Sequence, residues 1–244
     1  MRVNLLQYTP EPDRTVAMAA HLCYSPSSIE DLKAKMDDAE VARLIRLLRS
    51  LGHLSPFEHA HFVVGIEGLS RVASHQLVRS RIASYSQQSQ RYIDQRGFEY
   101  VTPPQIRKDS KLKDRYERHM DESRDLYRTL RDAGVEREDA RFVLPGAASS
   151  NIIMSKNARA WLEWLELRTC TRSQWEIRIL ANKVMRLLRH ASPYLFEVSG
   201  PPCVTKGLCR EGKMSCGRID RMTVDVLPYK TPRVRGDCAS EGKE

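Results

Sequence analysis

The chain has 244 residues, 41% hydrophobic and 29% charged, with 40 Lys and Arg against 31 Asp and Glu for a formal charge of +9. That length holds one large domain or two small ones, that balance excludes wholesale disorder, and no apolar run approaches the ~18 residues of a membrane helix. No secretory leader is visible behind Met1-Arg2-Val3-Asn4, so a cytoplasmic protein is expected, and the positive excess suits a polyanion or a phosphorylated small molecule as readily as plain solubility.

Arg14 to Cys23 reads as a short helix. Val41, Leu44, Ile45, Leu48 and Leu51 are spaced three and four apart before Gly52, which predicts an amphipathic helix over 38–51. Ser55-Pro56-Phe57-Glu58 carries a helix-start signal with Ser55 as cap. Alternation through Phe62, Val64 and Ile66 predicts a strand, and Ser70 caps a helix over about 71–80. Residues 81–96 fit neither period. Phe98 to Val101 reads as a strand closed by Pro103-Pro104, and 107–132 as a long charged helix ended by Gly134. A short helix over 136–143 stops before Pro145, and Ser150 to Met154 reads as a strand. Asn157 caps a helix to about Arg168; Ser173-Gln174-Trp175-Glu176 reads as a capping box for a helix to about His190. Strands are few and do not alternate with helices, so a doubly wound sheet is disfavoured. The expectation is one α+β domain over 1–200, with a small antiparallel or mixed sheet packed by helices. A Cys-bearing tail over 201–244 follows, loose from about Lys230.

Chemistry concentrates in residues 70–96. Arg71, Arg79, Arg81, Arg91 and Arg96 are interleaved there with Ser80, Ser84, Ser86, Ser89, Gln76, Gln87, Gln88 and Gln90. Guanidinium forks match phosphate oxygens, while Ser and Gln add neutral hydrogen bonds suited to a base or flavin edge. A solvated basic loop would share that composition. No Gly-rich phosphate cradle accompanies it.

The run Arg79-Ser80-Arg81-Ile82-Ala83-Ser84-Tyr85-Ser86-Gln87-Gln88-Ser89-Gln90-Arg91 closely resembles the signature of the flavin-dependent thymidylate synthases: Arg-His-Arg, then Ser, Asn or Ser, Ser and Arg at fixed offsets. Ser55-Pro56-Phe57-Glu58-His59, Ala140-Arg141-Phe142-Val143-Leu144-Pro145, Asn157-Ala158-Arg159 and Glu166 to Cys170 followed by Gln174-Trp175-Glu176 resemble further family segments in the same order. The resemblance implies that methylenetetrahydrofolate supplies one carbon to dUMP, reduced FAD supplies the hydride and NADPH re-reduces the flavin. It also implies a homotetramer with sites at subunit interfaces. Carried over position by position, FAD falls to Ser55, Arg79, Ser80, Arg81, Gln87, Asn157, Ala158, Arg159 and Glu163. The nucleotide falls to Gln76, Leu77, Val78, Arg79, Gln87, Gln88, Ser89, Gln90, Arg91, Arg141 and Arg168. Arg168 would lie beside the uracil and favour ionisation of its ring nitrogen. His53 is a flavin-side candidate; His59 and His61 read as structural.

Two positions depart from the family pattern. Ser80 replaces the triplet's His, and Glu163 stands where His or Asn is usual. Serine loses the ring's stacking surface and its charge, and a carboxylate beside a reduced flavin is unfavourable unless paired. A hydroxymethyl-transferring relative, or an impaired nucleotide-binding subunit, is therefore the alternative. Nucleic-acid binding is disfavoured: the arginines gather in one loop, and aromatics are only 7%, too few for stacking along a basic stripe.

Of six cysteines, Cys23 and Cys170 sit in apolar stretches and read as buried thiols. Cys203, Cys209 and Cys216, with Cys238 beyond, are the only candidates for a metal. Their spacing matches no standard knuckle, so none is assigned.

Overall fold

The computed structural model describes residues 1–219. Strand β1 (Arg2–Tyr8) leads into helices α1 (Pro12–Leu22), α2 (Ile29–Lys35) and α3 (Asp38–Leu51). A 3-10 turn over Ser55–His59 precedes β2 (His61–Ser70), α4 (Arg71–Leu77) and β3 (Ser84–Gln87). Then come α5 (Pro104–Arg107), α6 (Ser110–Asp132), α7 (Arg137–Ala140), β4 (Ser149–Asn157), α8 (Ala158–Arg168), α9 (Trp175–Ala191) and α10 (Pro202–Thr205). The four strands form one antiparallel sheet in the order β1-β2-β4-β3. The expected α+β class with a small sheet is what the chain adopts.

The core lies on one face of that sheet. Phe62, Val64 and Ile66 of β2 and Ile152 and Met154 of β4 point inward. Helices α8 and α9 cover them with Trp161, Leu165, Ile177, Leu180 and Val184, all fully buried. Each such side chain contributes roughly 1.5–3 kcal/mol when withdrawn from water. Trp161 Nε1 donates to the Phe62 carbonyl at 3.2 Å, so its one polar atom is satisfied within the core.

The pairing of β2 with β4 slips between Ile66 and Leu69, where Gly68 sits at φ +73°. A bulge of this kind needs a residue free of Cβ strain. It turns the chain so that Ser70 caps α4, accepting from the Ala73 amide at 3.0 Å. The same Ser70 donates its amide and hydroxyl to the buried Glu176 carboxylate at 2.8 and 2.6 Å. Glu176 thus clamps the start of α4 to α9. Glu176→Ala should cost roughly 1.5–3 kcal/mol, the value of charge-assisted bonds whose remaining partners stay buried. Thermal melts should show Tm falling by several degrees, and a shift below one degree would contradict the clamp.

Several local readings need correction. β1 and α2 are additional elements, and β3 lies inside the segment without a period. β1 edges the sheet and is mostly exposed, so it carries no clean alternation. Phe98–Val101 forms no strand; only Tyr100 bridges, to Ala148. The helix after Ser70 ends at Leu77. Ser55 caps nothing, and the cap of α9 is Gln174, which accepts from the Glu176 and Ile177 amides, while Ser173 donates to the Leu167 carbonyl. Cys23 is exposed and Cys170 half-buried. His59 and His61 are exposed. Among the described residues no helix is long and apolar enough to cross a membrane. The end expected to be loose from Lys230, and Cys238, lie outside the described residues.

Candidate active site

The turn after α4 is held from below. Tyr85 of β3 donates its hydroxyl toward the carbonyls of Leu77 and Ser80 at 2.8 and 2.9 Å. Burial pushes the phenol up to about 12, against the hydrogen bond to Ser80 and the nearby charge of Arg168, so it stays a donor. Lys156 of β4 reaches the same turn, donating to Ser80 Oγ at 2.6 Å and the Ile82 carbonyl at 2.9 Å. With its backbone pinned, the turn presents Arg79 and Arg81 outward. Neither guanidinium makes a hydrogen bond or ion pair among the described residues.

Arg79, Ser80, Arg81, Lys156, Glu163 and Arg168 line one hollow of about 270 Å³. Arg168 ends α8, and its Nε is shut off from solvent with no partner. Glu163 is the hollow's only carboxylate among the described residues, and Arg159 pairs with it at 3.2 Å while holding Glu58 at 2.7 Å. The carboxylate foreseen as unfavourable at position 163 unless paired is therefore paired, by a guanidinium that it shares with Glu58. A wall of donors with a single paired acid suits an anionic ligand rich in acceptors, and a flavin dinucleotide meets that description.

Arg168, Glu163 and Leu167 also border a second cavity of about 490 Å³, which Gln76 lines as well. Ser55 and His53 lie with Arg159 around a third hollow of about 460 Å³. Asn157 caps α8 by accepting from the Ala160 amide at 2.9 Å, leaving its amide hydrogens available. Ala158 is fully buried and donates its amide to the Ala60 carbonyl, so its side chain belongs to the core. Leu77 is fully buried too; Val78 is exposed.

The nucleotide candidates other than Gln76, Leu77, Val78, Arg79 and Arg168 fall elsewhere on the same chain. Gln87 donates to Ser74 Oγ at 3.2 Å, and the Gln88 amide bonds to the Asn151 carbonyl on β4. Ser89 Oγ accepts from the Arg91 amide at 3.1 Å, and Gln90 Nε2 is buried without a partner. Arg91 pairs with Glu138 at 2.5 Å, and Arg141 Nε donates to the Glu138 carbonyl at 3.0 Å. Burial lowers the pKa of Arg71, and the charge of Arg141 lowers it further. Two like charges at close quarters again ask for an anion. One chain thus divides the candidates between the Arg168 hollow and the Glu138 corner.

Lys156 is the polar residue that motif reading passed over; Arg71 and Tyr85 stood in the arginine-rich segment with no role assigned. Lys156 carried one readable signal, since it continues the inward-facing series Ser150, Ile152, Met154. The cysteines gather near Arg168: Cys170, Cys203 and Cys209 line the larger cavity. Burial pushes the Cys203 thiol up, and the Thr171 hydroxyl beside Cys216 holds that thiol below its ordinary value. Among the described residues, no three His, Cys, Asp or Glu side chains are grouped to hold a metal ion.

Known proteins resemble this chain over most of its length. The family described as Thymidylate synthase complementing protein matches residues 4–194. A flavin-dependent thymidylate synthase of Geobacter sulfurreducens is 49% identical over 220 residues, 89% of this chain and 94% of the relative. Enzymes of that same name from Clostridium tetani and Pyrococcus furiosus are 42% and 39% identical, covering 91% and 86% of this chain and 95% and 90% of their own.

Proposed function

The chain belongs to the flavin-dependent thymidylate synthase family, and from that premise we propose that its reaction runs beside Arg168, between the two cavities that meet there. The protein is an enzyme that methylates dUMP reductively to dTMP, with FAD as cofactor and methylenetetrahydrofolate and NADPH as co-substrates. When bound, FAD supplies the hydride for the transferred carbon. The observation that carries the placement is the set of guanidinium groups without a partner among the described residues, Arg79, Arg81 and Arg168, around one hollow.

Within it, Arg79, Ser80 and Arg81 would hold the cofactor's phosphates, while Ser55 and Arg159, at the third hollow, and Gln87 and Asn157 would complete its binding wall from outside. Tyr85 keeps the triplet's backbone in place from outside the cavity. Gln76 and Arg168 face the uracil from the neighbouring cavity. The fixed charge of Arg168 stabilises the pyrimidine as it loses the proton from its ring nitrogen, which raises electron density at the carbon that accepts the one-carbon unit. Ser89, Gln90, Arg91 and Arg141 bind the phosphate and sugar.

A homotetramer would close the separation between the two groups of residues. Apolar side chains stand exposed among them: Val72, Val78, Ile82, Tyr92, Leu167 and Phe142, the last 83% exposed. Leu6 and Ile153 are likewise exposed on the sheet's outer face. Large apolar groups clustered around polar ligand residues suit a subunit interface. The enzyme's substrates, a nucleotide and a folate, favour a cytoplasmic location. Residues 1–200 form the catalytic domain, and the tail that follows is anchored at its start by Lys206, which donates to Glu166 at 2.7 Å.

Purified protein supplied with FAD should show flavin absorption that bleaches anaerobically with NADPH. Adding dUMP and methylenetetrahydrofolate should then yield a product with the mass of dTMP. A hydroxymethyl product, or a protein that takes up no flavin, would overturn the assignment.

A further inference from the structure

We propose that Lys156, aimed by Ser80, is the cation that binds the anionic reduced form of the flavin, in the place where the resembling signature carries a histidine. The proposal rests on reading the Arg79–Arg168 hollow as the flavin site.

Lys156 is on the inward-facing side of β4, opposite Phe62 of β2, and is 3% exposed. Its neighbours on that face, Ile152 and Met154, are apolar. A buried ammonium in such a row is costly unless it is paired. Here it is not: its acceptors are two neutral oxygens, Ser80 Oγ and the Ile82 carbonyl, and no carboxylate lies within ion-pair distance among the described residues. An ammonium has three donors. Two are used, and the lysine borders the hollow. A methionine would fill the position at lower cost, so the charge points to a ligand that is itself anionic and arrives after folding.

The other ionisable groups around the hollow do not supply that match. Arg79, Arg81 and Arg168 are cations, Tyr85 is neutral, and Glu163 is engaged by Arg159. Ser80 is a positioning residue. It lacks the charge of the imidazole it replaces, but its hydroxyl holds one 2.6 Å away. The cation has moved from the triplet to the adjacent strand. Burial, opposed by Glu163, brings the lysine down to about 8. Above that pH the free enzyme must take up a proton as it binds the anion, so affinity for reduced FAD should fall by up to tenfold per pH unit.

The test uses the full chain and titrates oxidised and dithionite-reduced FAD anaerobically from pH 6.5 to 9.5. Lys156→Met should weaken the reduced form about tenfold more than the oxidised form. For a two-electron couple that lowers the midpoint potential by about 30 mV. Its reduced-form affinity should also lose the decline above pH 8. Ser80→Ala should show a smaller loss. Ser80→His combined with Lys156→Met should recover the preference for the reduced form. If Lys156→Met fails to fold, Lys156→Gln, which keeps a polar end at the Ser80 contact, carries the same expectation. Wild-type protein that takes up neither form of FAD would end the flavin reading itself. Wild-type protein that binds both, with variants showing the same preference and the same pH profile, would overturn the role of Lys156 alone.

Discussion

Arg168→Ala is expected to lower kcat by about 10²–10³-fold, the usual loss when one preorganised donor to a developing anion is removed. Flavin absorption and its bleaching by NADPH should survive, because Arg79, Arg81 and Lys156 remain. The KM for dUMP should change far less than kcat, since the interaction strengthens only as the ring nitrogen ionises. Stability should hold as well. The guanidinium makes no hydrogen bond or ion pair among the described residues, and its Nε is buried without a partner. Truncating it therefore breaks no hydrogen bond or ion pair among the described residues and removes an orphaned donor. Arg168→Lys keeps the charge but loses the planar fork, so it should recover only part of the rate. A wild-type kcat in the alanine variant would remove Arg168 from the chemistry. A large fall in Tm would show instead that it holds the fold.

The second large effect belongs to the nucleotide. Arg141→Ala and Arg91→Ala should each raise the KM for dUMP by about 10–100-fold, the worth of one charge-assisted bond to phosphate. Flavin occupancy should not change, because neither residue borders the Arg168 hollow. The two differ in what they hold when the nucleotide is absent. Arg91 is already paired with the Glu138 carboxylate, whereas Arg141 uses only Nε, on the Glu138 backbone. Glu138→Gln should therefore release Arg91 and lower the KM for dUMP several-fold, leaving Arg141 as it was. Steady-state kinetics with varied dUMP decides both, and an unchanged KM in Arg141→Ala would move the phosphate elsewhere.

These expectations come from two kinds of information. Helix α3 was legible residue by residue, because apolar groups three and four apart and a glycine at φ +74° in its C-cap are local signals. The caps Ser70 and Asn157 were legible for the same reason. β1 was not. An edge strand with exposed side chains has no buried face to impose alternation. The strand expected over Phe98–Val101 failed in the opposite way: its residues suit a strand, but they form a single bridge, Tyr100 to Ala148. The box Ser173 to Glu176 has the spacing of a helix cap, yet its glutamate is taken by Ser70, 106 positions away.

By itself the sequence determined most of the longer helices, the α+β class, and the residue types that grip anionic ligands, because each is encoded over a few neighbouring positions or in a linear signature. Only the tertiary structure decided that Lys156 would stand beneath Ser80, that Glu163 would be paired with Arg159, and that Arg91 would be held by Glu138. Burial and charge pairing depend on which distant segments the sheet and its covering helices bring within a few ångströms. A charge's chemistry is set by that surrounding rather than by its neighbours along the chain.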